Sequence, residues 1–303
     1  MILKKVFLII LFFSVIGSAQ SVLSEHGRFS ESGFVEYLPG NIPLIISVPH
    51  DGEKLPAAIP DRSCDGDIHT VADRYTQEMS MAIRKAFFDK TGKLPFVIIN
   101  HLRRKKVDVN RDIQEAACGG KTAELVWEEY HSYVDSAKEE ILKYSKKGFY
   151  IDLHAHNHVE QFLELGYLLD AEELQLDNKD LEDDLFIDKS SLRNLVTSIG
   201  KKQIFTELIS GPSSIGSLLE AAGYPTIPST THRAPVGSQP FFRGGYSLNR
   251  HSSANGGTFD GIQIETNMEN VRDGSRNINK FAGNLTEVLV KFLEHYYGFH
   301  IKN

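Results

Sequence analysis

The chain reads as an α/β protein, a single domain with a mainly parallel or mixed central sheet flanked by helices. Three observations predict it. Short, nearly unbroken apolar runs recur, as strands buried on both faces require. Between them, apolar residues return at helical spacing. Neither an internal repeat nor a low-complexity linker divides residues 20–303.

Taken in order, residues 43–48 (PLIISV) predict the first buried strand. Tyr75, Met79, Ala82, Ile83, Ala86 and Phe87 then mark one face of a helix. Residues 96–99 form the next strand. Val126, Tyr130, Tyr133, Val134, Ala137 and Ile141 line a second helix, with Gly148 as its stop. Residues 149–153 (FYIDL) are a third strand, and 191–199 and 215–222 are helices, the latter stopped by Gly223. Residues 259–264 give a late strand. Ile278, Phe281, Leu285, Val288, Leu289, Phe292 and Tyr296 give a final amphipathic helix. Such alternation is the signature of an α/β sheet.

Composition narrows the function. With 41% hydrophobic and 24% charged residues the chain is neither disordered nor fibrous. Its 33 basic and 40 acidic residues give a net charge of −7, which argues against a general nucleic-acid binder. Lys4 and Lys5 precede an apolar run over residues 6–16, and Gly17-Ser18-Ala19 offers small residues for cleavage. This is the layout of a secretory leader over residues 1–19, shorter than the ~18 apolar residues that a bilayer span needs. The expectation is an exported protein, periplasmic or extracellular, with no stable membrane anchor once the leader is removed. Without the two leader lysines, 31 basic residues face 40 acidic ones, a charge of −9.

Cys64 and Cys118 lie in two separate loops, where they form either one staple or two isolated thiols. Residues 170–188 hold nine acidic residues and one lysine, a net of −8 and nearly the whole acidic surplus. The reading adopted for them is a solvated surface insertion.

Chemistry concentrates where strands end. His50 follows the first strand in Pro49-His50-Asp51-Gly52-Glu53, and His154 follows FYIDL in His154-Ala155-His156-Asn157-His158. Open α/β sheets bind ligands beyond the carboxyl ends of their strands, so two histidines at that edge are candidate ligands of one zinc site. The alternate spacing of His154, His156 and His158 also fits a surface pattern. Residues 103–106 (RRKK) run into Val107-Asp108-Val109-Asn110-Arg111-Asp112. Asn110 and Arg111 suit a substrate carboxylate, unless Arg111 pairs with Asp108 or Asp112. A polyanion-binding role for the basic run is a lesser reading, marked by steep salt dependence. Ile262 and Ile264 share a strand face, which sends Gln263 and Glu265 to the other. Glu265 is then either a general base or a structural partner of Arg243 or Arg250.

These motifs, in this order, resemble the N-formylglutamate amidohydrolase family of the zinc carboxypeptidase and aspartoacylase-like superfamily. The likeness covers most of residues 43–270 as ordered motifs and includes Arg243-Gly244-Gly245-Tyr246 and the closing Gln263-Ile264-Glu265. The resemblance implies a zinc-carboxypeptidase-like fold and one zinc ion per chain, another divalent metal being possible. It implies His50 and His154 as ligands and Glu265 as general base. Arg103 or Arg104 would stabilise the oxyanion, Asn110 and Arg111 would hold the substrate carboxylate, and Arg243 and Tyr246 would line the pocket. Glu53, by the H-x-x-E pattern, or Asp73, in the first turn of the next helix, supplies the third ligand. The implied substrate is a small N-acyl amino acid or short peptide. A carboxypeptidase-type metallopeptidase and a non-catalytic carboxylate-binding module are the alternatives.

Overall fold

The computed structural model describes residues 27–64 and 68–301. The expected leader lies outside them. Among the described residues, no helix is long and apolar enough to cross a membrane.

Eight strands form one mixed sheet: β1 (Arg28–Phe29), β2 (Val35–Leu38), β3 (Leu44–Val48), β4 (Phe96–Asn100), β5 (Gly148–Ala155), β6 (Leu163–Gly166), β7 (Thr226–Ile227) and β8 (Phe259–Thr266). Their spatial order is β1-β2-β4-β3-β5-β8-β6-β7. The central four, β4-β3-β5-β8, are parallel, while β2 joins β4 and β6 joins β8 in antiparallel fashion.

The helices are α1 (Thr76–Thr91), α2 (Ile113–Ala117), α3 (Lys121–Leu142), α4 (Ala171–Leu174), α5 (Asn178–Leu181), α6 (Asp184–Lys189), α7 (Arg193–Ile199), α8 (Ile204–Ser210), α9 (Ile215–Ala221), α10 (Tyr246–His251) and α11 (Ser275–Phe292). The α3 helix stops at Leu142, and Gly148 opens β5 instead of ending the helix.

Strand alternation sorts the core into two layers. Ile46, Val48, Val97, Ile99, Ile151, Leu153, Ile262 and Ile264 meet α1 and α11 on one face. Ile45, Phe96, Ile98 and Tyr150 meet α3 on the other. Both faces are therefore covered, which explains why β3, β4 and β5 read as continuous apolar runs.

The nine acidic residues of the 170–188 segment are exposed or half-exposed, as expected of a solvated surface, and the segment also folds into short helices. Asp170, Asp177 and Asp183 each stand at the N-terminus of a short helix, where a carboxylate satisfies free backbone N–H groups. Leu174, Leu181 and Ile187 point from those helices into the core. Three of the nine acidic residues thus cap helices of a layer packed on the core.

Candidate metal centre

His50 leaves the end of β3, while His154 and Glu265 are penultimate residues of β5 and β8. Parallel pairing of β5 with β8 sets His154 opposite Glu265 and Asp152 opposite Gln263. Three neighbouring parallel strands thus deliver two imidazoles and one carboxylate to the same sheet edge.

The third group arrives from the loop before α1. Asp73 Oδ2 lies 2.8 Å from His154 Nδ1 and 3.3 Å from His50 Nδ1, and one ligand atom from each of the three residues falls within 4.8 Å of the others. The helix itself starts only at Thr76, after Tyr75 in a left-handed conformation (φ 73°). Asp73 therefore precedes the first turn in which the sequence placed it. Its backbone N–H donates to the His50 carbonyl at 3.2 Å, and its own carbonyl accepts from Thr76. Of the two candidate third ligands, Asp73 joins the histidines, whereas Glu53 is exposed and lies outside their group. Gly52 lets that turn lie flat on the neighbouring backbone, since a Cβ there would meet the Leu102 carbonyl oxygen at 2.2 Å.

Each imidazole presents its second nitrogen to a further carboxylate. His50 Nε2 is 2.7 Å from Asp108 Oδ1, and His154 Nε2 is 3.0 Å from Asp152 Oδ2. Carboxylates behind ligating histidines fix ring orientation and raise ligand basicity. The donor set of two nitrogens and one oxygen, backed in this way, fits a divalent transition ion such as zinc, and it would accept several others. The electrostatics agree. Burial works against charge on His154, yet Asp152 and Asp73 outweigh it and hold the imidazole well above its ordinary range. Burial likewise opposes the ionisation of Asp73, but His50 and His154 hold it well below the usual carboxylate range.

Glu265 behaves in the opposite way. Burial pushes its carboxyl up to about 8 against the pull of His154, and Asp73, Glu164 and Asp152 add to the rise. Oε1 accepts a hydrogen bond from Gln263 Nε2 at 3.0 Å, and Oε2 has no partner among the described residues.

The centre forms the floor of an open cavity of about 780 Å³. Arg104 lines it, with Nε on Asp108 Oδ2 at 2.8 Å and a terminal nitrogen 3.8 Å from Asp73 Oδ1. Arg103 does not line it. The carbonyl of Arg103 accepts from the Lys106 N–H, and this turn sends the two arginines in different directions. Arg111 stands half-exposed at the mouth, with Nε 3.7 Å from Glu115. Its expected partners are engaged elsewhere: Asp108 with His50 and Arg104, and Asp112 as the N-cap of α2.

Asn110 is buried and used internally. Its Nδ2 is 3.1 Å from His154 Nε2 and its Oδ1 accepts from the Ser247 N–H at 2.8 Å. Gly245 makes this approach possible, since a Cβ there would lie 2.5 Å from Asn110 Nδ2. Arg243 is on the rim, with Nε 3.1 Å from Asp170. Tyr246 lies outside the residues that line the cavity and packs against Trp127 and His131 instead.

Two organising residues escaped the sequence reading. Arg272 is fully buried and donates to the carbonyls of Arg74, His156, Thr266 and Asn267, which ties the turn after Asp73 to the ends of β5 and β8. Arg62 donates to the carbonyls of His69, Arg104 and Glu115, joining the Asp73 loop to the VDVNR segment. A disulfide between Cys64 and Cys118 makes the same connection covalently. Neither arginine belongs to a motif, and only tertiary contacts reveal them.

No protein-family model and no curated protein matches the chain. Solved structures do. An N-formylglutamate amidohydrolase from Ralstonia eutropha JMP134 superposes with a TM-score of 0.53 at 12% identity, over 88% of this chain and 98% of that one. A gene product from Agrobacterium tumefaciens gives 0.54 at 12% identity with the same coverage. The chain therefore has the fold of the amidohydrolase.

Proposed function

We propose that the protein is a metal-dependent hydrolase that cleaves the amide bond of a small N-acyl amino acid or short peptide bearing a free carboxylate. The observation that carries this reading is the pairing of a His50/Asp73/His154 ligand set with Glu265, which lines the same cavity and has one buried oxygen without a partner among the described residues. A pure binding module has no use for such a carboxylate.

His50, Asp73 and His154 would hold the ion, which is zinc in this reading. When bound, a divalent ion supplies Lewis acidity and lowers the pKa of water. Glu265 accepts a proton from the water that attacks the amide carbon and returns it to the nitrogen as the C–N bond breaks. A cation held by His50, Asp73 and His154 would favour the ionised form of the Glu265 carboxyl, opposing the rise that burial causes. Arg104, already oriented by Asp108, stabilises negative charge that develops on the carbonyl oxygen. Arg111, with its guanidinium partly free at the cavity mouth, anchors the substrate carboxylate bidentately. Asn110 is buried, with its Oδ1 accepting from the Ser247 N–H, and leaves the substrate carboxylate to Arg111.

N-Formyl amino acids are the first substrates to test, followed by other N-acyl amino acids and C-terminal dipeptides. Zinc-loaded protein should hydrolyse one of these classes, and Glu265→Gln should lower kcat by ~10²–10⁴-fold while zinc stays bound. Equal rates for the two proteins would refute the role of Glu265. A loaded wild type that binds N-acyl amino acids without cleaving any amide would make the protein a carboxylate-binding module. The leader proposal is tested separately, by N-terminal sequencing of exported protein, which should begin at Gln20.

A further inference from the structure

Beyond Ala155 the chain assembles a second set of donor atoms at the side of the same cavity. His156 and His158 line the cavity, and Glu164 is the second residue of β6. His158 Nδ1 lies 2.7 Å from Glu164 Oε1, and His156 Nε2 lies 3.7 Å from that same oxygen. The Phe162 carbonyl oxygen is 2.8 Å from His156 Nε2. The three side-chain donors fall within 4.8 Å of one another, without any atom of the His50, Asp73 and His154 group. Around an ion with bonds of ~2.1 Å, adjacent ligands stand roughly 3.0 Å apart in an octahedron and roughly 3.4 Å apart in a tetrahedron. The separations here bracket both.

Glu164 supplies the second argument. It is 1% exposed, and among the described residues its ion-pair partners are the two imidazoles. A buried carboxylate without a permanent cation is expensive. The β6–β8 register makes matters worse by placing Glu265 directly across from it. Glu164 Oε2 is fixed by the Phe242 N–H at 2.8 Å, so Oε1 is left aimed at the histidines. The Phe242 ring stacks on His158 at 4.8 Å and covers that side of the group. A positive ion between the three side chains resolves the imbalance.

We propose that His156, His158 and Glu164 form a second binding site for a borderline divalent ion such as zinc, cobalt or nickel, distinct from the first centre and independent of the hydrolase reading. It is the weaker of the two. His156 Nδ1 accepts the His158 N–H at 3.1 Å, so its Nε2 carries the proton that donates to Phe162, and that proton must leave before an ion is bound. The histidines of the first centre instead have carboxylates behind them.

The test is a calorimetric titration of metal-stripped full-length chain with cobalt(II), with visible absorption recorded in parallel. Wild type should take up two equivalents, the second at least about tenfold more weakly, by the loss of carboxylate backing. His158→Ala and the near-isosteric Glu164→Gln should each take up one, and His50→Ala should also take up one. A single equivalent in wild type that survives in His158→Ala, or two retained in both His158→Ala and Glu164→Gln, overturns the second site. If His50→Ala keeps both equivalents while His158→Ala loses one, the second site stands and the first centre falls.

Discussion

Two pairs of buried histidines are linked through Val109 and Asn110, and their surroundings differ in sign. His50 and His154 have ring centres 4.8 Å apart and sit among Asp73, Asp108 and Asp152. His131 and His251 are stacked at 5.0 Å, with Lys138 Nζ 3.1 Å from His251 Nδ1 and Asp135 slightly farther away at 3.4 Å. Burial, reinforced by neighbouring positive charge, pushes His131 well down, and burial brings His251 down to about 4. With both rings neutral, the donors run one way: Lys138 to His251, His251 to His131, His131 to the Val109 carbonyl. All four rings are nearly inaccessible. Neither burial nor the number of histidines separates an ion-ready pair from a structural one; the carboxylates around the rings do.

The sharpest way to break this contrast is to remove the shared carboxylate. Asp73→Asn should lower zinc affinity by more than roughly 100-fold, beyond the range typical of a residue behind a ligand. Equilibrium dialysis measures it, and an unchanged affinity would dissolve the distinction between the pairs. A smaller effect is expected one layer out. Asp152→Asn leaves the ligand set intact but removes the negative charge behind His154, and should weaken zinc about 10–100-fold.

The structural pair is tested by acid, in metal-free protein. The folded pKa of His251 lies below its unfolded value of ~6.5, so the unfolded chain takes up the proton first. Its contribution to stability is complete above pH ~6.5 and is lost as pH falls towards about 4. Urea unfolding of wild type should show this loss, and His251→Asn should lose less over that window by on the order of 2 kcal/mol. Identical pH profiles would mean that the ring is not held neutral. The smallest effect belongs to Glu53→Ala: zinc affinity unchanged and stability within ~0.5 kcal/mol of wild type, as for an exposed side chain outside the centre.

Much of the framework was legible because the central strands are covered on both faces. Continuous apolar runs reveal β3, β4 and β5, the alternation around Ile262 and Ile264 reveals β8, and the parallel order follows from alternation with helices. The strands β6 and β7 were not seen, since four and two residues carry too little pattern, and β6 hides Glu164 among its apolar residues. His50, His154 and Glu265 were legible as strand-end residues. Asp152 was within reach too, because residues two apart on a strand share a face. Glu164 was not, because only the antiparallel register with β8 brings it beside Glu265. Arg103 and Tyr246 show the remaining gap: whether a side chain enters a cavity depends on the rotation of one turn, and composition carries no record of it.

The Cys64–Cys118 link, 54 residues apart in sequence, closes a covalent ring around Asp73, Arg104 and Asp108. One backbone cut anywhere inside that ring leaves its two ends joined through the sulfurs. Against a protease, the loops that complete the centre thus have a second tether besides their peptide bonds. A nick there leaves a two-fragment molecule in which neither Asp73 nor Asp108 can diffuse away from the histidine it serves.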